Sequence, residues 1–200
     1  VVQQVDVCGD QTSDYVGAVL GPDSLSDLLA VMWNGTDWMP SEPLEEGAVE
    51  NVAVKNAVCK WRKSGSLALF AFVDGNALLI DYFAFNTTLG NGGNWTCTET
   101  GQNVTGLANA EGSSGPCATP TIMSDDIEVI HLVRDPNSDN ISVVTLDLSN
   151  DINVSIFNGT HISLRQNGVP IETTSSTLLE PVDFDYNRLV TVIAEAPDTT

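Results

Sequence analysis

The chain has 200 residues, of which 27 are acidic and only 7 basic, for a formal net charge of −20. A field of that sign repels nucleic acid and anionic membranes, and it favours solubility and cations. The hydrophobic fraction of 42% suffices for a packed core and argues against disorder.

In chain order, "VVQQVDV" (Val1–Val7) reads as a strand. It lacks an initiator Met, a basic leader and an apolar leader, so a mature end left by signal-peptide removal is expected. Both termini are expected to be strands docked in a sheet or in a neighbour. A turn near Asp10 leads to a second strand. Ser24–Met32 has some helical apolar spacing with Ser24 as a cap, and it is also readable as a strand running into Trp33. Asn56–Trp61 is a short strand. Leu67–Val73 and Ala77–Ile80, the longest apolar runs, are strand-length and far below the ~20 residues of a membrane span. The hairpin "LALFAFVDGNALLIDYFAF" is apolar on both strand faces, as expected for strands covered on both sides. Thr119–Asp126, the hairpin around Asp135–Asn140, Glu180–Asn187 and "RLVTVIAEAPDTT" continue the pattern. Runs of Val, Ile, Phe, Leu and Thr between Gly, Asn, Asp and Pro make the whole chain all-β.

The turn aspartates Asp10, Asp74, Asp135 and Asp198 are 64, 61 and 63 residues apart. This spacing predicts one repeat domain over 1–200 with repeats 1–55, 56–118 and 119–179, each an antiparallel unit of about four strands, and a surplus strand region 180–200. Such units are either propeller blades or stacked sheets. A short strand, the hairpin of Leu67–Phe85, and a Trp following a glycine-containing turn resemble a blade of the fungal fucose-binding lectin propellers. The resemblance covers Leu28–Thr98 and, more loosely, Thr119–Ile162. It implies carbohydrate binding by an Arg and a Glu on the hairpin strands with aromatic platforms. Here the second repeat has no such Arg, the third has Glu128 and Arg134, and the platform residues would be Trp33, Trp38 and Trp95.

Four cysteines, Cys8, Cys59, Cys97 and Cys117, without CxxC spacing and with only two histidines, speak against zinc and for two disulfides in an oxidising compartment. Three pairings are open, with Cys8–Cys59 and Cys97–Cys117 preferred. N-x-S/T sequons stand at Asn34, Asn86, Asn94, Asn103, Asn140, Asn153 and Asn158, seven of the 16 asparagines. Chance gives about two or three. A secreted, extracellular or cell-surface glycoprotein is expected.

Catalytic signatures are missing: no G-x-S-x-G, H-E-x-x-H or phosphate-loop motif occurs. His131, within an apolar run, is expected to be a core or half-buried residue, and His161 sits in "GTHIS". Glu45-Glu46 and Asp125-Asp126 are adjacent, so on strands they point to opposite faces rather than into one cleft. "DPNSDN" places Asp135, Asn137 and Asp139 at alternating positions, as in the first part of a calcium loop, without its Gly at position six or its closing Glu. Calcium is the one cofactor expectation. Lys60–Lys63 gathers three of the seven positive charges, either to dock an acidic neighbour or to guard an edge. The expected function is a structural protein, not an enzyme, that assembles with itself as a fibril or surface layer. Assembly would proceed by strand complementation through its N- and C-terminal strands. A carbohydrate-binding propeller is the alternative.

Overall fold

The computed structural model describes residues 2–22, 27–46, 57–73, 80–90, 92–96, 117–118, 126–148, 152–160 and 162–164. Among the described residues every regular element is a strand. β1 (Val2–Gly9), β2 (Val16–Pro22), β3 (Asp27–Trp33) and β4 (Glu42–Glu46) form an antiparallel meander in chain order. β5 (Ala57–Trp61), β6 (Leu67–Val73), β7 (Ile80–Asn86) and β8 (Asn94–Thr96) form a second, in which β9 (Cys117–Ala118) also pairs with β7. β10 (Ile127–Arg134), β11 (Ile141–Asp147), β12 (Ile152–Phe157) and β13 (Ile162–Leu164) form a third.

The second sheet is the middle layer. Its first strand, β5, lies against β1 and β2 on one side and against β10 on the other. Every residue of β6 and β7 is buried, which explains why these strands are apolar at both parities. The two faces differ in chemistry. Towards the first sheet, Phe70, Phe83 and Phe85 carry the aromatic bulk, with Trp95 edge-on to Phe70 and Phe85 at 4.9 and 5.2 Å. Towards the third sheet lie Leu69, Ala71, Ala84 and Tyr82, the last edge-on to Phe157 at 5.8 Å. Bulky rings on one face need a small partner opposite. Gly17 supplies it, since a Cβ there would come within 2.7 Å of Phe70 Cζ.

β1 and β5 are joined without backbone pairing. The Gln4 amide donates to the Ala57 carbonyl (2.5 Å), the Cys59 N–H donates to Asp6 (2.9 Å), and the Trp61 indole donates to the Cys8 carbonyl (3.0 Å). Side chains from alternate residues of β1 thus satisfy the backbone of β5, whose free edge would otherwise be open. The Cys8–Cys59 disulfide closes the same joint, the pairing preferred from sequence. Cys117 is also disulfide-bonded, whereas its expected partner Cys97 lies outside the described residues.

One open alternative is decided and one expectation needs correction. Asp27–Trp33 is a strand, with Leu28, Ala30 and Met32 on one face and Leu29, Val31 and Trp33 on the other, so the helical spacing around it is incidental. The evenly spaced turn aspartates are not equivalent positions. The turns at Asp10 and Asp135 join first to second strands, whereas residues 74–79 join β6 to β7, the second and third strands of their sheet. The counterpart of Asp10 and Asp135 is Arg62. In each first-to-second-strand loop one N–H reaches the carbonyl five residues on: Asp10 to Tyr15 (2.9 Å), Arg62 to Leu67 (2.9 Å) and Asp135 to Asn140 (3.0 Å). These anchors are 52 and 73 residues apart, so the regular period arose from matching unlike hairpins.

Candidate functional site

The chemistry-bearing residues singled out from sequence do not converge. Asp135 is buried, and its carboxylate accepts the Asn137 N–H (2.8 Å) and the Ser138 hydroxyl (2.5 Å) of its own loop. Asp139 accepts the Ser64 N–H at 2.7 Å, and its carbonyl accepts Arg62 Nε at 2.6 Å. These oxygens face protein donors, and "DPNSDN" serves as a turn. Asp10 holds the first loop in the same way, accepting the Thr12 N–H (3.0 Å) and the Ser13 hydroxyl. No cluster of three or more His, Cys, Asp or Glu that could hold a metal occurs among the described residues.

Arg62 is the buried cation of this end of the molecule. Besides Asp139 it reaches the Asn158 carbonyl at 3.5 Å, so the second and third sheets are joined through its guanidinium. Gly65, with φ of 74°, lets the same loop approach the first one, because a Cβ there would overlap Thr12 Oγ1 and the Asp10 carboxylate. Arg134 reaches across to Gln11 at 2.9 Å. Within the Lys60–Lys63 cluster, therefore, Arg62 acts as an internal tie, while Lys63 remains exposed.

The lectin-type residues are dispersed. Glu128 and Arg134 occupy opposite ends of β10, about 20 Å apart at strand rise, too far to grip one sugar ring. Trp95 packs on Phe70 and Phe85 and is part of the second sheet's aromatic layer. Trp33 and Trp38 do meet, edge to face with centroids 5.6 Å apart, and Trp38 is 62% exposed. His131 is exposed, not buried, because its position on β10 faces away from the second sheet. His161 and Asp125 lie outside the described residues, Asp126 is half-buried, and Glu45 and Glu46 are neighbours on β4.

The seven sequons divide by geometry. Asn34 and Asn158 directly follow, and Asn86 ends, the third strand of a sheet, and each side chain accepts the N–H two residues on, from Thr36, Thr88 and Thr160, at 2.9 Å. Thr88 and Thr160 add their hydroxyls at 2.7 Å. Here N-x-T is a turn that ends a strand, with Thr as the second donor. Asn86 (1% exposed) and Asn153 (3%) are buried, which argues against a glycan at either position. Asn94 and Asn158 are exposed and Asn34 and Asn140 half-buried, while Asn103 lies outside the described residues.

What stands out instead is an open face. The side of the first sheet turned away from the second carries three cross-strand rows. They are Val5–Leu20–Leu29, Val7–Ala18–Val31 and, beside Gly9, Val16–Trp33. No polar side chain interrupts these rows, and Val5 and Val7 are 56% and 62% exposed. The exposed Trp38 stands against Trp33 at the end of the last row. The face becomes visible only when β1, β2 and β3 are set in register: β1 itself alternates, with Val5 and Val7 outward and Gln4 and Asp6 towards β5, whereas β2 and β3 are apolar at both parities. No family model matches the chain, and no curated protein matches its sequence.

Proposed function

We propose that the chain is a secreted, N-glycosylated structural module that self-associates by stacking its sheets. The carrying observation is the set of apolar cross-strand rows over β1–β3 of the first sheet, in which Val5 and Val7 are largely exposed. Contiguous apolar patches of this kind mark interaction surfaces, because leaving them in water costs about 25 cal/mol per Å². The fold already contains the contact that such a face makes, since the middle sheet is covered on both sides by sheets of the same kind. The mode is face-to-face packing. The N-terminal strand is paired with β2 and bridged to β5, so it is held in its own sheet and is not free for donation. The Cys8–Cys59 disulfide, the disulfide-bonded Cys117, exposed sequons at Asn94 and Asn158 and the net charge of −20 support an extracellular setting.

The repeat reading supports the same architecture. One four-strand meander falls in each of 1–55, 56–118 and 119–179, each with the same first loop and the same N-x-T turn. First strands side by side suit a blade-like arrangement around an axis, as in the lectin propellers the sequence resembles. V5K/V7K tests the proposal. Light scattering should show a lower mass for V5K/V7K than for the parent, with unchanged far-UV circular dichroism. Equal masses would refute it. The exposed Trp38 beside Trp33 favours carbohydrate binding as a second reading, which a glycan array without a hit that W38A abolishes would retire.

A further inference from the structure

One row on the open face of the first sheet ends in a step. Gly9, Val16 and Trp33 are cross-strand neighbours, and a single bridge pairs Trp33 with Trp38, so the row runs Gly9–Val16–Trp33–Trp38. Two indole rings stand at one end of it with centroids 5.6 Å apart, and Trp38 is 62% exposed. The other end is a notch: among the described residues, a Cβ on Gly9 would meet nothing within 4 Å.

The second sheet shows what such a row carries when it is covered. Its counterpart is Trp61–Ala68–Phe85, in the same register, with Trp61 where the first sheet has Gly9. Trp61 and Phe85 are buried, and a ring from the neighbouring sheet lies near both: Tyr15, from the loop before β2, at 6.0 and 6.2 Å. The same joint sets large against small, with Phe70 opposite Gly17. In the first sheet the small position is Gly9, and the exposed ring is Trp38 on the same row.

A knob and a notch on one row of one face make that face complementary to itself, as an isologous contact requires. Given the self-association proposed for this face, on which it rests, the geometry points to a two-fold pairing in which Trp38 of each copy seats in the notch at Gly9 of the other. An axis running along the strands, midway between β2 and β3, achieves this. It sets Gly9 opposite Trp38 and Val16 opposite Trp33, and in the next rows Ala18 opposite Val31 and Leu20 opposite Leu29. The rows span roughly 15 by 15 Å between backbone positions; with side chains, two copies bury on the order of 1,000 Å², the lower bound for a specific interface. Such a contact closes at two copies and does not grow into a fibre.

Two variants of the full chain test the pairing. G9F fills the notch, where the φ is not positive and space is open, and W38A removes an exposed ring, so both should keep the parent far-UV circular dichroism. Sedimentation equilibrium is run in about 0.15 M salt, which screens the repulsion between two chains of net charge −20 beyond about 8 Å. The parent should form dimers and nothing larger. Each variant alone should show a dissociation constant at least about tenfold higher. Mixed one to one, G9F and W38A should associate more tightly than either does alone, because the added ring meets the vacated position and the other Gly9–Trp38 contact stays intact. Parent species larger than a dimer would overturn the two-fold contact. Variants that associate as the parent does, or a mixture no tighter than its components, would overturn the seating of Trp38 at Gly9 while leaving self-association in place. A monomeric parent would overturn both.

Discussion

Replacing both Cys8 and Cys59 with alanine probes the joint on which the first two sheets depend. The bridge spans a sequence separation of 51 residues, and the chain-entropy relation gives about 4 kcal/mol for a loop of that length. Its sulfurs lie in the contact itself: a Cβ on Gly17 would be 3.2 Å from Cys8 Sγ, and the Cys8 carbonyl accepts the Trp61 indole N–H at 3.0 Å. The loss should therefore be felt as looser packing of the aromatic layer as well as a larger unfolded ensemble. With a urea slope of about 2 kcal/mol per molar, C8A/C59A should lower the unfolding midpoint by about 2 M, with a somewhat steeper slope because the uncrosslinked unfolded chain exposes more surface. The assay is urea unfolding followed by tryptophan fluorescence, under non-reducing conditions so that the disulfide of Cys117 stays intact. A midpoint shifted by less than about 0.5 M would refute the reasoning, because the side-chain bonds between β1 and β5 would then suffice alone.

Gly17→Ala should destabilise by about 1–3 kcal/mol through the clash with Phe70, read as a lower melting temperature and partly relieved by F70L. Burial first, and the neighbouring Asp81 after it, push the Tyr82 hydroxyl up to about 12, against a hydrogen bond with Ile162 that lowers it. The unfolded chain, ionising near 10, loses that proton first. Stability should thus hold below pH 10 and fall by at most about 1.4 kcal/mol per pH unit from 10 to 12. Y82F should lessen that fall in urea titrations at pH 9 and pH 11, and an equal slope would contradict it. In protein from a glycosylating host, peptide mapping should find glycan at Asn94 and Asn158 and none at Asn86 or Asn153; occupied Asn86 would contradict its burial.

Much of the fold was legible because strand chemistry is local. Short runs of Val, Ile and Phe between turn residues marked β5, β6, β7, β10 and β11, and the two-sided apolar pattern of Leu67–Phe85 correctly marked a sheet covered on both faces. The Cys8–Cys59 pairing was also preferred in advance. Equivalence between hairpins was not legible, because a turn aspartate looks the same after a first strand as after a second. Arg62, which takes the aspartate's place in the middle loop, has no local signal at all. N-x-T could not be read uniquely, since the hydrogen bonds that end a strand use the same two side chains as an acceptor sequon. Trp95 and His131 were misplaced for one reason: which side of a strand faces the neighbouring sheet is decided by stacking order, which no single strand encodes.

Sedimentation equilibrium of the full chain over a hundredfold concentration range tests the central claim most directly, because the open face of the first sheet should drive reversible association. The account predicts an average mass that rises with concentration above the 21.3 kDa polypeptide plus its glycans, and that stays monomeric in V5K/V7K. A wild-type chain that remains monomeric across the whole range would contradict it.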